Sequence, residues 1–329
     1  MNHSKSVSLL LSVGSAFPNI TNSHGTTAAL LASYYGHDTI LKILLQHDAD
    51  INLSNEMGMT PLLASAKNGH LNTFLLAVQH GANLNHIMKD GTDCIMIAAI
   101  HNQGEIIQYI SSLEPQSSSS STLLDFNYRH QSTHNTPIHY AIQHDNLDSC
   151  IALIQSPHTD LTICNNDGQT IFHIAVQYQS TQVLQHCLCH SKYSKKTQSI
   201  INLKNTKTHQ TPIMDAIKLG YTNVLQWIAP ISDDDNIPLF TAVIKNDLKV
   251  TRALLQYSNI DINSKNDDGH TPLIVAVTLR FLEMCELLIQ DGNADINIKT
   301  KKGGQTALQK AKKRNFDDII KLLQSHGAT

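Results

Sequence analysis

The chain has 329 residues, 41% of them hydrophobic, and a formal charge of −3 with histidine counted as neutral. That length can bury a sizeable core and would by itself suit two ordinary domains. The near-balanced charge argues against nucleic acid or a membrane surface as a bulk partner, and no apolar run approaches the ~18 residues that a bilayer-spanning helix needs.

The N-terminal stretch MNHSKSVSLLLSVGSAFPNI places a lysine before an apolar run, Val7 to Val13, and small residues after it, Gly14 to Ala16. It reads as a secretion signal or as the first element of the fold, and the residues that follow decide. From Gly25, Gly58 and Gly91 the chain reads GTTAALLASYYGH, GMTPLLASAKNGH and GTDCIMIAAIHNQ, starts that lie 33 residues apart. The same frame returns at His134 (HNTPIHYAIQHDN), Gly168 (GQTIFHIAVQYQS), His209 (HQTPIMDAIKLGY), Asp235 (DNIPLFTAVIKND), Gly269 (GHTPLIVAVTLRF) and Gly304 (GQTALQKAKKRNF). A repeat of this period governs the architecture before any single residue does.

Each unit predicts two helices. Thr followed by Pro opens the first, because Thr can cap exposed amides and Pro has no N–H to leave unsatisfied at the first helical position. Small residues such as Ala64 to Ala66 and Ala98-Ala99 allow close helix approach. The first helix stops at residues that tolerate a left-handed backbone, Gly36, Gly69, Asn102, Gly220, Asn246 and Asn315. The second helix shows helical apolar spacing, as in Ile40, Leu41, Ile43, Leu44 and Leu45, or Ile319, Ile320, Leu322 and Leu323. A turn closes the unit with recurring endings: DADIN, GANLN, ADIN and DIN.

Shifted back one unit from Gly25, this frame lays Val7, Leu10 and Leu11 on inner positions of a second helix, Ala16 on the alanine of the turn and Asn19 on the asparagine of DIN. Residues 1–21 therefore read as a half-repeat cap, with Ser4, Ser6, Ser8 and Ser12 supplying the polar face that a terminal repeat requires. A signal peptide would lack this register.

Period and motif together resemble the ankyrin repeat family, whose unit pairs two antiparallel helices with a hairpin finger around T-P-L-H-x-A. The resemblance implies an all-α ankyrin-repeat solenoid of about nine helix-turn-helix repeats with hairpin fingers and an N-terminal half-repeat cap. It also implies that the motif histidine ties neighbouring repeats. That residue survives only as His139 and His173, so most junctions are expected to rely on packing. Repeats 1–3 fill residues 22–113 and repeats 4–9 fill residues 122–329. Between them EPQSSSSS, at 114–121, stretches one spacing to 43 residues and reads as a mobile finger excursion joining two blocks. The spacing from Gly168 is 41, with the surplus around HSKYSKKTQS; that from His209 is 26, which predicts a local bend near Pro230.

Residues able to carry chemistry are few. His186, Cys189 and His190 in HCLCH lie at i, i+3 and i+4 and could share a zinc-binding face, but they supply only three local ligands. Asp233-Asp234-Asp235 lacks the spaced ligands and glycine of a calcium loop. His37 and His70 recur at one repeat position, which is a structural pattern. Cys94, Cys150, Cys187 and Cys285 fall at core or helix positions, where free cysteine behaves as a small hydrophobe, so no disulfides are implied and the sequons at Asn19 and Asn52 would matter only outside the cell. No phosphate loop, nucleotide fingerprint or nucleophile elbow occurs. The cations crowding the last repeat, Lys299 to Arg314, read first as a charged cap.

The family resemblance implies that partners are read by fingertips and by two residues ending each first helix. On that basis the partner-binding candidates are Tyr34, Tyr35, Lys67, Ile100, His101, His144, Tyr178, Leu219, Lys245 and Leu279. The expected function is a noncatalytic scaffold or adaptor, without cofactor or metal, that binds a protein with apolar anchors and an acidic rim. The cytoplasm is the expected location, with the nucleus as the alternative. A second reading is an adaptor or effector that presents substrates to a modifying enzyme.

Overall fold

Seven buried threonines, Thr27, Thr60, Thr136, Thr170, Thr211, Thr271 and Thr306, each stand immediately before a first helix. Four of the hydroxyls accept from amides that helical geometry leaves open: Thr27 from the Leu30 N–H at 3.1 Å, Thr60 from Leu63 at 3.3 Å, Thr271 from Ile274 at 3.3 Å and Thr306 from Gln309 at 3.3 Å. In the third repeat Asp93 takes the threonine's place and accepts from Met96 N–H at 2.7 Å. In this computed structural model residues 3–13, 16–113, 124–189, 197, 200–229, 237–257, 260–301 and 303–329 are described.

Among them the chain is helical throughout, relieved only by an isolated bridge between Thr21 and Thr27. It divides into two compact units, Met1–Ile174 and Ala175–Thr329. In the first, helix Ser4–Ser12 precedes the pairs Ala28–Tyr34 with Asp38–Gln46, Pro61–Asn68 with Leu71–Gln79, Cys94–Ile100 with Gly104–Ser112, and Pro137–Gln143 with Leu147–Gln155. Helix Ile171–Gln177 contains the division. The second unit continues with Thr181–Cys189 and the pairs Pro212–Leu219 with Thr222–Ile228, Ile237–Ile244 with Leu248–Leu254, Pro272–Thr278 with Leu282–Gln290, and Ala307–Lys313 with Asp317–Ser325.

Within each unit, first helices pack on first helices and second on second. The small residues of the first helices make this close approach possible: Ala64, Ala66, Ala98, Ala99, Ala276 and Ala311 are all fully buried. Cys94, Cys150, Cys187 and Cys285 lie in the same cores.

All six residues expected to break the first helix in a left-handed conformation do so, from φ 55° at Asn315 to φ 72° at Gly69 and Gly220. Asp145, Gln179 and Arg280 adopt it at the equivalent slot of their repeats, although the side chains of Gln179 and Arg280 disfavour it. The tertiary register dictates the break, and residue preference only eases it.

One expectation needs correction. Val7 and Leu11 are half-buried against Asp38–Gln46, but Leu10 is 59% exposed, on the side of Ser4–Ser12 that this packing leaves uncovered. Residues 114–121 themselves lie outside the described residues, yet the repeats flanking them are packed directly. Ser149 Oγ donates to Ala98 O at 3.2 Å, and Ser111 and Ser156 hydroxyls meet at 3.0 Å. Gly104 opens its helix so close to the next repeat that a Cβ there would stand 2.6 Å from Asp148 O. An insertion between a second helix and the following finger leaves the helix faces that pack unchanged. Pro230, the expected bend, also lies outside the described residues.

Candidate functional site

Neighbouring fingers are linked by an asparagine ladder. Asn52 donates to Gly81 O at 3.1 Å and accepts from Asn83 N–H at 2.8 Å; Asn127 does the same with His158 O and Asp160 N–H, at 2.9 and 2.8 Å. Asn19 makes both bonds to Asp48 O and Asp50 N–H. In the second unit Asn263 accepts from Asp295 N–H at 2.9 Å, and Asn297 from Thr329 N–H at 3.0 Å. The recurring asparagine of DIN is therefore a bond between repeats, a role its recurrence alone did not disclose.

Further polar ties overturn the expectation that most junctions rest on packing alone. In the first unit the residue opening each second helix reaches back to the residue ending the preceding first helix. His70 Nε2 donates to Tyr34 O at 3.1 Å, Gln103 Nε2 to Lys67 O at 3.4 Å, and Asn146 Nδ2 to Ile100 O at 2.8 Å. The two motif histidines also bond inside their own repeats: Thr136 and Thr170 N–H donate to His139 and His173 Nδ1, each at 3.3 Å. Burial holds His139 down to about 4, further lowered by the Arg129 cation, while hydrogen bonds with the backbone of Gln169 and Ile163 pull the other way.

These ties leave the ends of the first helices to the solvent. Tyr35 is 61% exposed, stands edge-on to Tyr34 at 5.1 Å between ring centroids, and stacks on His37 at 6.0 Å. His101 and His144 are exposed, whereas Lys67 and Ile100 are half-buried. The structure brings three of these candidates together. Burial lowers the His101 pKa, and the Lys67 cation and His144 lower it further, so successive repeats present their side chains within electrostatic reach. In the second unit Tyr178, Leu219 and Leu279 are exposed. Lys245 is exposed too, but its Nζ donates to Lys218 O at 2.9 Å, so this candidate also ties two repeats.

The first unit carries exposed apolar residues that the sequence reading did not select: Leu31 on a first helix, and Met57 and Ile87 on fingers. Bulky apolar residues in finger segments otherwise rich in Asn, Asp and Gly were the available signal. Among the described residues no three His, Cys, Asp or Glu side chains are grouped to hold a metal ion. The Cys189 side chain, His190 and Asp233 to Asp235 lie outside the described residues. Among the described residues no helix is long and apolar enough to cross a membrane. The arrangement as described offers side-chain surface for binding.

Stacked helix pairs, each first helix broken by a left-handed residue and each finger bonded to the next, define an all-α repeat solenoid. The chain belongs to the ankyrin repeat family. The family model for three ankyrin copies matches residues 49–120, 74–163, 118–199, 139–236 and 230–300, and that for many copies matches 10–72. Members generally serve as noncatalytic modules for protein–protein interaction. The chain is also similar to the phosphate system positive regulatory protein PHO81 of Saccharomyces cerevisiae, at 31% identity over 116 residues. That match covers 30% of this chain and 10% of the yeast protein, so the chain spans about a tenth of this relative's length.

Proposed function

We propose that the chain is a noncatalytic scaffold that binds another protein through the ends of its first helices and its fingertips. One observation carries the reading: Tyr34, Tyr35, Tyr178, Leu219 and Leu279 are held in solvent at two adjacent recurring register slots, next to backbone groups already tied between repeats. Large apolar side chains presented on a rigid support are what binding energy concentrates on. The same slots carry Lys67 and Lys245 and no carboxylate, which favours a partner with apolar anchors and an acidic rim. The reading needs no cofactor or metal, and its setting is the cytoplasm or nucleus. Cys94, Cys150, Cys187 and Cys285, buried and outside any disulfide, suit a reducing compartment.

A photo-crosslinking residue placed off those side chains, at exposed position 31 or 245, tests this in cells. The expected result is a discrete crosslinked protein that disappears when Tyr34→Ser plus Tyr35→Ser, or Leu279→Ser, is added elsewhere in the same chain. Crosslinks that the serine variants leave unchanged would refute the reading.

A further inference from the structure

Cations gather on one side of the last two repeats of the second unit. Lys310, Lys313 and Arg314 lie at i, i+3 and i+4 at the end of helix Ala307–Lys313, so they share a face. Lys265, Lys299 and Lys301 stand exposed on the adjoining fingers. A helix C-terminus favours cations by about 0.3–1 kcal/mol, yet this group is crowded. Burial lowers the Lys310 pKa first, and the Arg314 and Lys313 cations lower it further, against a weaker opposing pull from Asp268.

The bonds of these cations go to neutral acceptors. Lys310 Nζ meets His270 Nε2 at 2.9 Å; Arg314 Nη1 donates to Thr278 O; Lys265 Nζ donates to Lys299 O at 2.9 Å. Carboxylates pair elsewhere: Arg252 with Asp291 at 3.1 Å and Arg280 with Asp318 at 3.8 Å, both carboxylates belonging to second helices or the turns after them. Leu279, 42% exposed, follows the Thr278 whose carbonyl Arg314 holds, so an apolar side chain lies beside the cations.

We infer that this face docks an acidic segment of a partner protein, its carboxylates on Lys310, Lys313 and Arg314 and an apolar side chain on Leu279. The inference rests on the protein-binding reading above and assigns the partner chemistry at one place. Charge complementarity argues for it: an anion relieves the mutual repulsion of the three cations, and Leu279 suits a peptide better than a uniformly polar polyanion.

Phage-displayed random 12-residue peptides panned on the full chain provide the test, with the winning peptide then measured by fluorescence anisotropy. Acidic sequences carrying one apolar residue are expected to win. Their affinity should fall at least tenfold with Lys310→Gln plus Lys313→Gln and with added salt, and should survive Lys310→Arg plus Lys313→Arg. Lys321→Gln, which removes one charge from the second helix, should change it less than twofold. Winners without acidic character, indifferent to the lysine variants, would overturn this inference while sustaining the protein-binding reading. No winners at all would overturn both. A single-stranded DNA 12-mer that binds more tightly than the best peptide would overturn the inference in favour of nucleic acid.

Discussion

The two units join their repeats by different means. In Met1–Ile174, short side chains opening the second helices, His70, Gln103 and Asn146, bond to Tyr34, Lys67 and Ile100 carbonyls. In the last three repeats of Ala175–Thr329 the corresponding slots hold Asp247, Phe281 and Phe316, which cannot donate when the aspartate is ionised, and the carbonyls of Lys218 and Thr278 are reached instead by Lys245 and Arg314. Phe316 serves otherwise: the Arg280 guanidinium lies over its ring, 5.2 Å from the centroid. A short amide loses little freedom on bonding, whereas a long cation loses more and remains hydrated. The first unit's junctions are therefore expected to be the stiffer, and Tyr34 and Tyr35 stay in solvent, whereas the second unit uses exposed cations for cohesion.

The largest test of this contrast is Gly104, where the first unit's helices approach most closely. Gly104→Val should cost on the order of 3 kcal/mol, because the new side chain meets Asp148 backbone with no room to yield. Urea unfolding followed by tyrosine and tryptophan probes should show the early transition without tryptophan change, since Trp227 belongs to the second unit. A single transition displaced as a whole would show that the units unfold together.

A second test concerns Asp93, the first unit's carboxylate among capping threonines. Burial raises it to about 6 from 3.8, despite the Met96 and Ile95 amides, with Asp125 adding repulsion. The folded chain thus keeps a proton between pH 4 and 6 that the unfolded chain releases. The stability this gives is present below about pH 4 and lost as pH rises through 6. Asp93→Asn keeps the cap without the buried charge and should gain roughly 2–3 kcal/mol at pH 7, shrinking toward zero at pH 4. His139 acts in the opposite direction, losing stability as pH falls from 6.5 toward 4. Because both proteins carry it, the difference between their melting curves isolates Asp93. A gain independent of pH would mean the carboxylate is not the cause.

What was legible beforehand follows from what is periodic. Period, caps and left-handed breaks recur every unit, so they were visible from Gly36 to Asn315 without coordinates. The ties were hidden because one slot holds His70, Gln103 and Asn146 in turn, different residues with the same reach. Gln179 and Arg280 escaped notice as helix breakers because their own preferences oppose the conformation that the register imposes. The inner placement of Leu10 failed for the converse reason: periodicity assigns a face, but a face is buried only where a neighbouring helix exists. Candidate positions at the ends of first helices were readable, but the Lys245 bond was not, since it depends on a carbonyl 27 residues away.

The asparagine ladder is shared by both units and so calibrates them. Asn52→Ala and Asn263→Ala should each cost about 1–2 kcal/mol by removing bonds that satisfy finger amides. Similar losses by thermal melting would confirm that the fingers contribute alike. A loss confined to Asn52 would move the difference between units from the helices to the fingers.

The smallest expected effect probes the junctions themselves. Asn146→Ala removes donors to two carbonyls, Ala99 O at 2.9 Å and Ile100 O at 2.8 Å, from a half-buried position, and should cost about 1–2 kcal/mol. Lys245→Met keeps the aliphatic stem but deletes one exposed bond to Lys218 O, and should cost no more than about 0.5 kcal/mol, because water replaces the lost donor and the side chain regains its freedom. Paired urea titrations of the two variants measure the difference directly. If Lys245→Met proved as costly as Asn146→Ala, the cation would be a structural clasp, and Lys245 would have to be withdrawn from the partner-binding face.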